Sequence, residues 1–232
     1  MIPTVIHQFW DRIEPPEDVR NLVTRNRRFH PNWTHVLWND ASAASFIEAQ
    51  FGADAVACFD ACQLATMRAD LLRMAAAIVI GGVYLDADMR CEQPLDALRA
   101  EGHECVLFRN PKKLQTAFFM TRPRHAFFVR AFREALRRVW QGGVDGVSST
   151  TGPGLFNATY LSLPKRQRHQ IRVLEYRELR QLVKPRVKLE THEAEGHWTE
   201  AEARGATLVD FGEAGYPSAP PSPAALADAV AR

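Results

Sequence analysis

Two pairs of residues have types and spacings that could do chemistry together. Asp70 and Arg73 stand three apart, Asp86 and Asp88 stand two apart, and Gly81-Gly82 lies between the pairs. Carboxylates at alternate positions of an extended segment point to the same side, and two such charges repel unless a cation lies between them. An all-oxygen donor set favours a hard divalent ion, Mn²⁺ or Mg²⁺, over zinc or copper. So few protein ligands leave coordination positions open, which suits a cation held jointly with a diphosphate. Asp70 and Arg73, at i and i+3, share one helix face. There the acid can accept from sugar hydroxyls, and the forked guanidinium can donate to phosphate oxygens. The same spacings also occur in exposed turns and surface ion pairs. The run Val83-Tyr84-Leu85 ahead of the acids places them instead at the end of a buried strand, where uncompensated charge is costly.

Elements to position these residues can be read along the chain. Thr4 to Trp10 is a β-rich apolar run, followed by a helix over about Pro16–Arg28 with Val19, Leu22 and Val23 on one face, which His30-Pro31-Asn32 stops. His35–Trp38 is a second strand, closed by Asn39-Asp40, and a helix from Ala41 to Phe51 follows. This β-α-β-α order predicts a mostly parallel sheet flanked by helices. The clearest helix covers Gln63–Ile78, with Leu64, Met67, Leu71, Met74 and Ile78 at helical spacing. Gly81-Gly82 ends it, and Val83–Asp88 reads as an extended strand carrying both acids at its carboxyl end, where open α/β sheets place ligands. Beyond lie strands near Glu104–Arg109 and Thr116–Met120, a helix over His125–Trp140, a Gly/Ser/Thr loop over Gly142–Gly154 and a short helix over Leu155–Leu161. Basic residues dominate Lys165–Lys188, and residues 213–232 read as a Pro/Ala-rich mobile tail after a single domain over 1–212.

Composition bounds the partners. Of 232 residues, 46% are hydrophobic and 24% charged, so the chain can bury a full core. With 29 basic and 27 acidic residues the net charge is +2, too balanced for a chain whose main partner is nucleic acid. The four cysteines lack zinc spacing and read as buried free thiols. His7, within the first apolar run, reads as a hydrogen-bonded core histidine, and Trp33 and Trp38 read as core. With no leader or membrane-spanning run in view, the expectation is a cytoplasmic protein, with residues 165–188 docking at the anionic inner face of a membrane.

At this point the sequence resembles glycosyltransferase family 32, which includes yeast-type α-1,6-mannosyltransferases and whose DXD-containing sugar-binding region is related to that of the large glucosylating toxins. The blocks that carry the resemblance are Ala69–Arg73 with Gly81–Asp88, Ile2-Pro-Thr-Val-Ile-His-Gln-Phe-Trp10, Pro31-Asn-Trp33 with Trp38-Asn-Asp40, and Thr151-Gly-Pro153, in the family's order over roughly residues 2–160. The resemblance implies a GT-A fold, a nucleotide-diphosphosugar donor, bound Mn²⁺ or Mg²⁺ and retention of anomeric configuration. It further implies that Trp10 stacks on the nucleobase and that Asp70 and Arg73 hold sugar hydroxyls and the diphosphate. Tyr84 would lie near ribose and phosphates, Asp86 would contact ribose and sugar, and Asp88, with Asp86, would hold the metal. Two departures stand out. Thr116-Ala117 occupies the place of the family's Asn-Ala, and the closing His-x-x-Gly-Ser-Trp is matched only loosely by His192–Trp198, whose Trp198 would donate to the leaving phosphate. The implied reaction moves a hexose from a nucleotide sugar, UDP favoured, to a hydroxyl of a saccharide or lipid-linked saccharide, as in cell-surface polysaccharide synthesis. A protein-modifying, toxin-like transferase and a non-catalytic sugar-nucleotide module are the alternatives.

Overall fold

The computed structural model describes residues 1–190 and 198–212. The chain opens with strand β1 (Val5–Phe9), helix α1 (Glu17–Phe29), strand β2 (Thr34–Trp38) and helix α2 (Asp40–Phe51). Glu17 and Asp18 complement the positive end of α1. Asn39 starts α2 through a reciprocal cap: its side chain accepts from the Ser42 N–H and its own N–H donates to the Ser42 hydroxyl, both at 2.9 Å. Helix α3 (Ala53–Ala61), which the sequence reading did not foresee, precedes the long α4 (Ala65–Val79).

The second half contains β3 (Gly82–Leu85), β4 (Arg90–Cys91), α5 (Asp96–Ala100), β5 (Cys105–Asn110), β6 (Lys113–Thr121), α6 (Ala126–Trp140), α7 (Val147–Thr150) and α8 (Pro153–Ser162). Then come α9 (Lys165–His169), β7 (Ile171–Glu175), α10 (Tyr176–Leu182), β8 (Val183–Lys184) and α11 (Trp198–Ala203). Among the described residues, six strands form the central sheet in the order β2-β1-β3-β6-β5-β7, and β4 pairs separately with β8. Pairings β1/β2, β1/β3 and β5/β7 are parallel; β6 runs against both its neighbours. The sheet is thus mostly parallel, with one reversed strand inside it.

Alternation along the strands divides the core into two layers. Tyr84, Cys105, Leu107 and Phe119 face a layer built by α2, α3, α4, α6 and α8. Val83, Leu85, Val106, Phe108, Phe118 and Met120 face the opposite layer with Leu95, Leu98, Leu174 and Leu179. Helix α4 lies within the first layer with nearly every residue from Met67 to Ile78 buried, rather than only one apolar stripe. The sharp passage from α4 into β3 needs glycine. Gly82 has φ 98°, and a Cβ there would sit 2.5 Å from the Val5 carbonyl oxygen.

Three readings change in the folded chain. The strand carrying the acids stops at Leu85, not Asp88, because the Asp86 carbonyl accepts from the Met89 N–H at 2.9 Å and closes a turn. Asp86 and Asp88 are therefore residues of a tight turn, and strand alternation does not set their direction. The Gly142–Gly154 segment contains α7 and the start of α8. The basic stretch 165–188 is divided among α9, β7, α10 and β8, with Arg172 paired to Glu178 at 2.6 Å, so it is not one continuous face.

All four cysteines are free and buried, as expected, and burial pushes Cys58 and Cys91 up to about 12. Among the described residues no helix is long and apolar enough to cross a membrane. The tail expected at 213–232 lies outside the described residues.

Candidate active site

Arg73 is the hub of the site. Leaving α4 on its sheet-facing side, it reaches Asp70 one turn back at 3.4 Å and Asp86 beyond the end of β3 at 3.2 Å. Its guanidinium carbon lies 4.3 Å from the centre of the Tyr84 ring, and its Nε donates to the Ala69 carbonyl at 3.1 Å. Tyr84 stacks in turn on Phe119, and its hydroxyl approaches Asp86. Asp70, Arg73 and Tyr84 are 2%, 4% and 1% exposed, whereas the Asp86 side chain is 32% exposed. The cluster thus presents Asp86 outward while its other members support it from beneath.

Burying the charged pair Asp70 and Arg73 demands compensation. Burial works against the charge on Arg73, but Asp86, Tyr84, Asp70 and Asp88 surround it and raise its pKa above the ordinary arginine value. Burial pushes the Asp70 carboxyl up, opposed by Arg73 and by the Thr151 hydroxyl, which donates to Asp70 Oδ2 at 3.0 Å. The Thr116 hydroxyl approaches the same carboxyl, so the departure at Thr116-Ala117 supplies a polar neighbour to Asp70. Gly152 packs behind it: a Cβ there would lie 3.4 Å from Asp70 Oδ2. Thr151-Gly152-Pro153 therefore closes on Asp70 from the start of α8.

The acidic turn is held at several points. The Asp86 N–H donates to the Ala117 carbonyl at 2.9 Å, and Gln8 Nε2 donates to the Asp86 carbonyl at 3.5 Å. Just past the turn, the fully buried Asn26 of α1 donates to the Met89 carbonyl and accepts from the Cys91 N–H, both at 2.8 Å. His30, at the end of α1, accepts from the Leu95 N–H at 2.9 Å. His7 is a core histidine, as expected. Its Nε2 donates to the Gly81 carbonyl at 2.9 Å, its Nδ1 accepts from Trp38 at 3.2 Å, and burial lowers its pKa to about 4, so it is neutral.

The donor set fits a hard divalent cation. Burial, reinforced by the charge on Asp86, pushes the Asp88 carboxyl up to about 7, as expected of two like-charged oxygen donors facing one space. Among the described residues no group of three or more His, Cys, Asp or Glu forms a closed metal cage. Asp86 and Asp88 would thus leave positions for water or phosphate oxygens.

The structure brings Asp70, Arg73, Tyr84, Asp86 and Asp88 together. Trp10 packs beside the same turn, buried with Val19, Leu22, Val23, Ala87 and Leu189. The expected role of the Trp198 indole falls on a side chain outside the described residues. Sequence reading missed Asn26, whose signal was a polar residue in register with Val19, Leu22 and Val23 on the apolar face of α1. It also gave Thr151 no role.

A reversed strand inside a mostly parallel sheet, with an acidic turn at the end of β3 backed by a buried arginine, is the arrangement of a GT-A fold. Residues 16–104 match the family model described as glycosyltransferase sugar-binding region containing DXD motif. Among particular relatives, inositol phosphoceramide mannosyltransferase 1 of Schizosaccharomyces pombe is 30% identical over 133 residues, covering 56% of this chain and 41% of the relative. A mannosyl phosphorylinositol ceramide synthase of Saccharomyces cerevisiae is 28% identical over 66% of this chain and 40% of its own length. The chain thus spans about two fifths of the length of these relatives. Among solved structures, the PaToxG glycosyltransferase superposes with a TM-score of 0.57 at 15% identity, covering 92% of this chain and 81% of that one. The ligand-free glycosyltransferase domain of the YGT toxin gives 0.54 at 8% identity, covering 89% and 86%.

Proposed function

We propose that the chain is a divalent-metal-dependent, retaining hexosyltransferase that moves a sugar from a UDP- or GDP-hexose to a hydroxyl of a lipid-linked or saccharide acceptor. The observation that carries this reading is the Arg73 hub. One buried guanidinium is shared by Asp70, Asp86 and Tyr84 directly behind Asp88. The two yeast relatives, an inositol phosphoceramide mannosyltransferase and a mannosyl phosphorylinositol ceramide synthase, favour the lipid-linked acceptor.

The residues supply distinct parts of the reaction. As the bond from the anomeric carbon to the β-phosphate oxygen breaks, negative charge grows on the diphosphate and the sugar becomes oxocarbenium-like. Arg73 fixes a permanent positive charge behind the turn in a low-dielectric setting, where such stabilisation is strongest. Asp86, aligned by Arg73 and Tyr84, accepts from hydroxyls of the ribose or transferred sugar. Asp88, with Asp86, would hold Mn²⁺ or Mg²⁺, which when bound supplies Lewis acidity at the diphosphate oxygens. Asp70 is committed to Arg73 and Thr151 and is buried, which makes it a poor carboxylate nucleophile. That favours attack by the acceptor hydroxyl on the face the phosphate leaves, with the departing phosphate taking the acceptor proton.

The test is diphosphate release from UDP-glucose and GDP-mannose by the full chain, with Mn²⁺ and with chelator. Turnover of at least one donor that stops on chelation is expected. Failure to turn over either donor, or turnover indifferent to chelator, overturns the reading.

A further inference from the structure

Arg186 comes from the basic stretch that the fold divides, and it sits against the acidic turn. Strand β8 pairs antiparallel with β4, setting Lys184 opposite Arg90 and Val183 opposite Cys91. Three residues past Lys184, the Val187 N–H donates to the Asp88 carbonyl at 2.7 Å. Val187 and Leu189 then pack against the cluster of Trp10, Val19 and Ala87. The segment is thus braced on both sides of Arg186, and Arg186 stands at its apex.

Two features of Arg186 are unexplained by packing. Its φ is 53°, the left-handed region that a residue with a Cβ occupies only under constraint, and such constraint concentrates at functional sites. Its side chain is exposed, and among the described residues it forms no ion pair, although its charge lowers the pKa of Asp88. Arg73 approaches the turn from the buried side and is used up by Asp70 and Asp86. Arg186 approaches from the solvent side, its forked donors uncommitted and suited to phosphate oxygens.

We propose that Arg186 is a diphosphate-binding residue of the donor site, held over the acidic turn by the β4–β8 pairing and the Val187–Asp88 backbone bond. This rests on the nucleotide-sugar reading above. Its chemistry is the charge-assisted, bidentate recognition of phosphate by a guanidinium. It would place a second arginine across the acidic turn from Arg73, so that the leaving group is clasped between a buried and an exposed cation.

The experiment is calorimetric titration of UDP and of GDP, each with Mn²⁺, into the full-length wild type and the variants Arg186→Gly and Arg186→Lys, alongside melting curves without ligand. Arg186→Gly relieves the left-handed backbone while removing the guanidinium, so the ligand-free protein should melt no lower than wild type. Its affinity for the nucleoside diphosphate should fall about 10- to 100-fold, the scale of one hydrogen-bonded charge. Arg186→Lys should recover part of that loss. Wild type that binds neither diphosphate overturns the glycosyltransferase reading and this assignment with it. Wild type that binds, with Arg186→Gly binding equally tightly, overturns the assignment of Arg186 alone.

Discussion

Arg73 is paired with Asp70 and Asp86 but not with Asp88, so changes at Asp88 and around Asp70 have unequal consequences. Asp88 is not ion-paired with Arg73 and carries a carboxyl pushed up to about 7 by burial and by the charge of Asp86, so its charge is a burden to the ligand-free fold. Asp88→Asn should therefore abolish metal-dependent donor turnover while melting no lower than wild type at pH 8. A thermal melt beside the diphosphate-release assay checks both halves, and wild-type turnover in the variant would remove Asp88 from the metal site. Asp70 behaves differently, because its charge is built into the core. Thr151→Val takes away the hydroxyl bonded to Asp70 Oδ2 at 3.0 Å and leaves that buried oxygen without its donor. The expected cost is about 1.5–3 kcal/mol by urea unfolding, together with lower turnover as Arg73 loses its fixed partner.

The elements show why some of this was legible in the sequence and some was not. Helix α4, strand β3 and the acidic turn are local objects. Helical spacing, a glycine pair and an Asp-x-Asp within a short stretch suffice to place Asp70, Arg73, Asp86 and Asp88 near one another. What holds them is not local. Thr151 reaches Asp70 across 81 positions, and Asn26 reaches Met89 and Cys91 across 63 and 65. No periodicity encodes such contacts; only the topology that lays α1 and α7–α8 beside the turn creates them. Even the end of β3 was misplaced, since a strand stops where a carbonyl finds a turn partner rather than where the apolar run ends. Helix α1 is the clearest case, its apolar face placing Asn26 where an amide can satisfy both backbone groups flanking Arg90. Asn26→Leu keeps the volume but leaves the Met89 carbonyl and Cys91 N–H without partners. It should destabilise the fold by about 2–5 kcal/mol, seen in urea unfolding. Mn²⁺ affinity, followed by the loss of the free-ion resonance signal, should weaken because β4 no longer anchors the turn. Unchanged Mn²⁺ affinity in folded Asn26→Leu would make the residue a core hydrogen bond only.

Across the whole molecule, stability against acid is set by buried histidines opposed by buried acids. His7 spans three neighbouring parts of the sheet layer: it sits on β1, holds the Gly81 carbonyl at the entry to β3 and accepts from Trp38 of β2. Burial lowers its pKa from 6.5 to about 4, and burial, with nearby arginines, lowers His35 and His125 to about 4 as well. A histidine whose folded pKa is depressed is neutral in the fold while the unfolded chain has already taken up a proton. Between pH 6.5 and 4 unfolding therefore binds protons, and the stabilising contribution, complete above 6.5, is lost as pH falls through that window. Asp70 and Asp88, raised in the fold, work in the opposite direction, their contributions growing as pH falls toward 3.8. The two effects overlap in the wild type, but a variant separates them. His7→Gln keeps a side-chain N–H for the Gly81 carbonyl and cannot titrate. At pH 7.5 it should be less stable than wild type, having exchanged a fitted imidazole for a flexible amide. As the pH is lowered from 6.5 toward 4 the gap should narrow, because only the wild type is penalised for keeping His7 neutral. Urea unfolding of both proteins at several pH values measures the gap directly. A gap that stays constant, or widens toward acid, would mean that His7 is protonated in the fold and that the bond to Trp38 is not made through a neutral ring.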